Sequence, residues 1–282
     1  MLKIQSFSYH SHTNFSDGKN TIEEMVRRAK DIGFTELGIS DHLIVHKNMQ
    51  QSPSFKVNPN MLAEPDVYNT DFKHILQRFQ HHCEELRQVA KSENFKIFVG
   101  FEVDFFTYDG WLEELKDFLS QLDYDYLING NHFLFDESGE EIINLTDLPK
   151  LYQDSTCYND FLNRHFKVMA QAVSSKLFNF LAHIDYARKL GDAICSPDAY
   201  WNEKMAVLDA LQENDVGIEI STKGLRKIGD FYPSENVLAQ IAKRDIAMVV
   251  SDDAHKPTEL GLDFAAAENM LQKYGVTRRI KF

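Results

Sequence analysis

Hydrophobic positions along this chain fall into short apolar runs separated by longer amphipathic stretches, an alternation that predicts strand–helix units. Residues 4–9 read as a first strand. Thr21 and Glu24 then form a capping box, opening a helix with Ile22, Met25, Val26 and Ala29 on one side and Gly33 at its end. Residues 34–40 make a second strand that ends in Asp41 and His42. The pattern lapses over 43–70, where Pro53, Pro59 and Pro65 among Asn, Gln and Ser predict a long loop or lid. A helix over 71–92 leads to a strand at 96–101 ending in Glu102, and a helix over 112–122 to a strand at 124–129 followed by His132. Residues 133–157 are polar and predict irregular structure. Helix 159–175 precedes a strand at 177–182 ending in His183, and helix 197–213 precedes a strand at 216–221. A helix over 233–244, a strand at 246–250 running into Asp253 and His255, and a helix over 264–274 complete the series.

Seven strand–helix units in succession predict an α/β fold with a parallel sheet, and the count favours a closed barrel over an open one. The length of 282 residues suits one large single-core domain, and no Pro-, Gly- or Ser-rich linker divides it.

Active sites of such barrels lie at the C-terminal ends of the strands, and this is where the chain concentrates its metal-binding residue types. In an extended segment alternate side chains share a face, so His10 and His12 leave one side together, with Asp17 on the turn that Gly18 allows. Asp253 and His255 repeat that spacing, while Asp252 faces the other way and stays a rival ligand. With His42, Glu102, His132 and His183, the set contains six of the eleven histidines and three carboxylates. One ion needs fewer donors, so two or three divalent ions sharing a bridging carboxylate are expected, with Glu102 the natural bridge. Imidazole and carboxylate donors without thiolate point to Zn, Fe or Mn and away from Ca.

Asp41 either supports these ligands or caps its turn. His74, His81, His82 and His165 read as surface or packing residues; His46, on the lid, is the one that could reach the site. Arg188 and Arg226 lie just past strand ends, where a guanidinium could grip phosphate or carboxylate, a surface salt bridge being the alternative. Lys189, Lys223 and Lys227 could add positive charge there, with solvated side chains the favoured reading. The sequence has no P-loop, GxSxG or HExxH motif.

The net charge of −13 argues against a nucleic-acid partner or an anionic membrane surface. Three widely spaced cysteines, and the lack of an apolar signal core or a membrane-length apolar run, make the cytoplasm the expected location.

Taken together, His10-x-His12, Ser16-Asp17-Gly18, Ser40-Asp41-His42, Gly100-x-Glu102, His132-Phe133, Ala182-His183-Ile184-Asp185 and Asp253-Ala254-His255 resemble the PHP (polymerase and histidinol phosphatase) family, within it the stand-alone histidinol-phosphatase branch. The resemblance spans nearly the whole chain. It implies a distorted TIM-like (β/α)7 barrel with a trinuclear centre. By that resemblance His10, His12, Glu102 and Asp253 would hold one metal, Glu102, His132 and His183 a second, and Asp17, His42 and His255 a third. Arg188 and Arg226 would clamp phosphate, and Asp253 or His255 would serve the leaving group. Where the family usually shows Ser-Asp-Ala-His, this chain has Asp252 first. The implied reaction is hydrolysis of L-histidinol phosphate, a small-molecule phosphate ester, to L-histidinol and phosphate. The alternatives are another small phosphate ester or nucleotide as substrate and, from a different class, a structural-zinc binding module. The oligomeric state is left open.

Overall fold

The computed structural model describes residues 4–64, 66–136, 138, 140–153 and 157–282. The apolar runs become β1 (Phe7–Ser8), β2 (Glu36–Val45), β4 (Lys96–Val103), β5 (Tyr126–Asn129), β8 (Phe180–Leu181), β9 (Gly217–Ser221) and β10 (Met248–Ser251), with β3 (Tyr68–Asn69), β6 (Phe133–Phe135) and β7 (Ile142–Asn144) between them. The sheet order is β1-β2-β4-β5-β8-β9-β10, and every neighbouring pair is parallel. A parallel bridge between Ser11 and Ala254, with His12 N donating to Ala254 O at 2.8 Å, brings the two ends of the sheet together. The result is a nearly closed seven-stranded barrel ringed by helices, the distorted TIM-like form expected from the sequence.

Local signals explain most of these elements. Thr21 caps the helix Ile22–Asp31 with the reciprocal Glu24 bond, and the helix buries Ile22, Met25, Val26 and Ala29. Asp71 caps the long helix Phe72–Ser92. All ten residues of β2 are buried, as a parallel strand covered on both faces requires. Below the site the barrel is filled by Tyr9, Tyr126 and Phe180 with Phe98 and Phe282 against them. Tyr126 Oη donates to Tyr9 O at 2.7 Å. Gly100 makes room for that ring, since a Cβ there would lie 2.3 Å from it.

Two segments differ from expectation. Within 43–70, short helices Ser54–Val57 and Pro59–Ala63 form, and β3 pairs with the end of β2. Pro59 starts its helix, where a missing N–H costs nothing; Pro65 lies outside the described residues. Within 133–157, β6 and β7 form an antiparallel hairpin. Leu134 and Ile143 from that hairpin join Leu148, Phe161 and Leu162 in a small core of their own, so the polar composition there concealed a packed unit. No helix among the described residues is long and apolar enough to cross a membrane.

Candidate metal centre

Glu102 lies inside β4 and occupies the middle of the site, almost fully buried. Its Oε2 is 3.3 Å from His10 Nε2, 3.4 Å from His12 Nε2 and 3.2 Å from His42 Nδ1. Its Oε1 is 2.8 Å from His183 Nε2 and 3.7 Å from His132 Nε2. Asp253 Oδ1 approaches His10 Nε2 at 3.6 Å, His12 Nε2 at 3.4 Å and His255 Nδ1 at 3.4 Å. Asp17 closes the outer side, its oxygens 3.5 Å from His42 Nε2 and 3.1 Å from His255 Nε2. All nine sequence candidates therefore meet at one mouth of the barrel. His42 sits within β2 rather than at its end, because β2 runs on to Val45. His10, His12, His183, Asp253 and His255 lie just beyond their strands.

Four overlapping sets of donor atoms fall within 4.8 Å of one another: His12, Asp17, His42 and His255; His10, His12 and Glu102; His10, His183 and Asp253; and His42, Glu102 and His132. The grouping differs from the family-based one in its second set, where His132 goes with His42 and His183 with Asp253. Many of these atoms are buried without a hydrogen-bond partner, among them His10 Nε2, both nitrogens of His12, His42 Nδ1, Asp17 Oδ1 and Asp253 Oδ1. Buried polar atoms are ordinarily paired, so a cluster of unpaired lone-pair donors aimed at one another fits cations between them.

The electrostatics agree. Burial alone would raise Glu102, but the imidazoles of His10, His132 and His42 hold it well below the usual carboxylate range. Burial likewise opposes the ionised forms of Asp17 and Asp253, yet His42 and His255 for the one, and Lys223 and His10 for the other, keep both low. His12 is pushed down to about 3 by burial and by the charges of His255 and His42. His42 rises to about 9, because Asp17 and Glu102 outweigh its burial. Backbone strain is concentrated here too: Asp253 has φ +47° and His183 φ +23°, in the left-handed region that non-glycine residues avoid.

An outer layer, of which the sequence reading offered only Asp41, orients these residues. Glu219 is fully buried in β9 and accepts from His10 Nδ1 at 2.8 Å, His183 N at 2.9 Å and Ser251 Oγ at 2.7 Å. Asp104 Oδ2 is 2.9 Å from His132 Nδ1. Asp41 accepts from Thr13 N, Thr13 Oγ1 and Ser16 Oγ, fixing the turn that carries Asp17, and is 3.0 Å from His82 Nε2. The only trace of Glu219 in the sequence is a carboxylate between Ile218 and Ile220 in an apolar strand. Asp252 turns away from the cluster, accepting from Ser8 Oγ and Gly261 N, and burial pushes it up to about 7. Asp253, not Asp252, faces the histidines.

A cavity of about 450 Å³ opens above the centre. Asn58, Asn60, Glu64 and Tyr68 line it on the 43–70 side, and Lys189, Lys223, Arg226 and Lys227 on the other. Arg226 reaches the cavity, with Nη2 donating to Asp252 O at 2.7 Å. Arg188 does not line it: the guanidinium is nearly buried and pairs with Asp230 at 2.9 Å. Lys223 is mostly buried rather than solvated, its Nζ 2.9 Å from Asp253 Oδ2. His46 is also away from the site, its ring buried against Phe106 and Tyr108. His82 and His165 are buried packing residues.

The chain is 25% identical over 276 residues to the "Probable histidinol-phosphatase" of Deinococcus radiodurans, covering 94% of this chain and 92% of that protein. It is 21% identical over 299 residues to the protein of the same name from Schizosaccharomyces pombe, covering 96% and 87%. Among solved structures it resembles the histidinol phosphate phosphatase of Lactococcus lactis subsp. lactis, crystallised with Zn, L-histidinol and phosphate. That TM-score is 0.67 at 16% identity, over 99% of this chain and 97% of the other. The PHP domain family model matches residues 8–223, a stretch that begins within β1 and holds every later strand of the barrel except β10, and the chain belongs to that family.

Proposed function

We propose that this chain is a metal-dependent phosphomonoesterase that hydrolyses L-histidinol phosphate to L-histidinol and phosphate, as the names of its relatives suggest. The observation that carries the reading is the convergence of nine imidazole and carboxylate groups on unpaired buried donor atoms beneath an open cavity. A structural zinc site is closed and usually rich in Cys, whereas this cluster opens on a cavity and uses no thiolate.

In this reading His10, His12, Asp17, His42, Glu102, His132, His183, Asp253 and His255 would hold two or three divalent ions, Zn, Fe or Mn, and Glu102 would be the carboxylate they share. Bound ions of this kind lower the pKa of water toward neutrality and neutralise charge on a transferring phosphoryl group. The residues of the chain do the rest. Glu219 and Asp104 hold the rings of His10 and His132 so that Nε2 of each faces inward. Arg226 stands at the cavity wall, where it can bind a phosphate oxygen. The organic part of the substrate extends toward Asn58, Asn60, Glu64 and Tyr68, which makes 43–70 a specificity lid on one metallohydrolase domain spanning 1–282. The partner is a small phosphate ester in the cytoplasm, with neither nucleic acid nor membrane involved, in keeping with the net charge of −13.

The test is phosphate release from L-histidinol phosphate by protein loaded with Zn, Fe or Mn, beside a panel of aryl, sugar and nucleotide phosphates. Highest kcat/KM on histidinol phosphate, abolished by chelation, supports the reading. A nucleotide or sugar phosphate turned over tenfold faster would move the assignment to another phosphoesterase, and no metal-dependent turnover of any ester would remove it.

A further inference from the structure

Beside the nine ligand candidates, the cavity carries a second set of charges of one sign on the wall built from the segments after β8 and β9: Lys189, Lys223, Arg226 and Lys227. Two of these are held in place by the centre itself. Lys223 Nζ donates to Asp253 Oδ2 at 2.9 Å and lies 3.3 Å from His255 Nδ1. Lys189 Nζ lies 4.1 Å from the centroid of the Tyr186 ring and is 2.7 Å from its hydroxyl. That ring packs in turn on His132 and His183, at 5.0 and 4.9 Å between centroids. Lys189 is therefore tied to one wall of the metal centre and Lys223 to the other. Both line the same cavity, and burial, then the charge of Lys223, pushes the Lys189 ammonium down to about 8. Mutually repelling ammonium groups facing a cavity are stabilised by an anion between them. Arg188, meanwhile, is engaged with Asp230 behind this wall.

We propose that Lys189 and Lys223 form the phosphate-recognising pair of this chain, in the role that sequence position gives to Arg188. Lys223 has a second, positioning role. By occupying Asp253 Oδ2 it leaves Oδ1 as the oxygen facing His10, His12 and His255. This inference rests on the phosphomonoesterase reading for its biological meaning, but it concerns binding of the phosphoryl group itself.

The experiment is calorimetric titration of the metal-loaded protein with inorganic phosphate, with metal content measured on each variant. Lys189→Met should raise the phosphate Kd about tenfold or more, the worth of one charge-assisted contact, with metal content unchanged. Lys223→Met should weaken phosphate binding and lower metal content as well, and Lys223→Arg should recover the metal. Arg188→Met combined with Asp230→Asn, which removes the buried pair as a unit, should leave the phosphate Kd within about twofold. Unchanged phosphate binding in Lys189→Met, or a tenfold loss in the Arg188 variant at full metal content, overturns the proposal. Should the Arg188 variant fail to fold, Lys189→Met and Lys189→Gln decide it alone. Phosphate binding that depends on both lysines in a protein that hydrolyses no ester would uphold the pair and overturn the phosphatase reading instead.

Discussion

Glu219 Oε2 accepts from His10 Nδ1 at 2.8 Å while the opposite nitrogen of the same ring points at Glu102, 3.3 Å away. A carboxylate can only accept here, so the proton of a neutral His10 sits on Nδ1 and the Nε2 lone pair faces the centre. Glu219→Gln keeps the shape but removes the charge that fixes this tautomer. Metal affinity, measured by competition with a chelator, should fall about 10- to 100-fold in a protein that still folds. Unaltered affinity would mean that Glu219 only fills space.

Gly130 offers a test from the opposite side of Glu102. A Cβ at this position would lie 1.8 Å from Glu102 Oε1, so Gly130→Ala must move the central carboxylate. Displacements of about 1 Å at a reacting centre cost on the order of 100-fold in rate. The variant should lose metal and turnover together while its far-ultraviolet dichroism stays that of the parent. A variant with full metal content would place the bridging role elsewhere.

His82 lies outside the centre yet supports it through Asp41 and the Thr13–Ser16 turn. Its ring also stacks on Phe15 at 3.8 Å. His82→Leu, which takes the imidazole 3.0 Å from the buried Asp41 carboxylate away, should cost about 1–3 kcal/mol. Urea denaturation of the metal-free protein measures it. A loss under about 0.5 kcal/mol would show that Thr13 and Ser16 hold Asp41 without help.

His165 supplies a pH dependence that the metal-free protein can report. It is fully buried in the helix Tyr158–Ser174, and burial, with the charges of His132 and His183, lowers it from 6.5 to about 3. A neutral imidazole in the fold and a protonatable one in the unfolded chain give stability that is complete above pH 6.5 and lost as pH falls from there toward 3. The slope is at most about 1.4 kcal/mol per pH unit for one such group. His165→Leu should therefore be relatively more stable against the parent at pH 5 than at pH 7.5, by about 2 kcal/mol. An equal difference at the two pH values would mean that His165 titrates normally.

The candidate set was legible because most of its members lie at or just past the C-terminal ends of the strands, several flagged by a local pattern such as His10-x-His12 and Asp253-x-His255. Glu219 and Asp104 were not, because their partners stand on other strands and only the assembled sheet brings them together. The short helices of 54–63 and the three-residue strands of the hairpin are too brief to show a period, and tertiary contacts decide them. Arg188 and Lys189 both leave their expected places for a geometric reason. Both lie in the tight turn Tyr186–Leu190, where successive side chains diverge by roughly 120°, so one faces Asp230 and the next the cavity.

The meeting of Ser11 with Ala254 has a consequence for biogenesis. These residues lie between the paired candidates His10 and His12 on one flank and Asp253 and His255 on the other, so the seam of the sheet and the donor cluster are completed by one event. A chain interrupted before residue 250 would keep its other seven donors but could neither finish the cage nor join the sheet edges. Competence to retain metal would thus report that synthesis has passed residue 255.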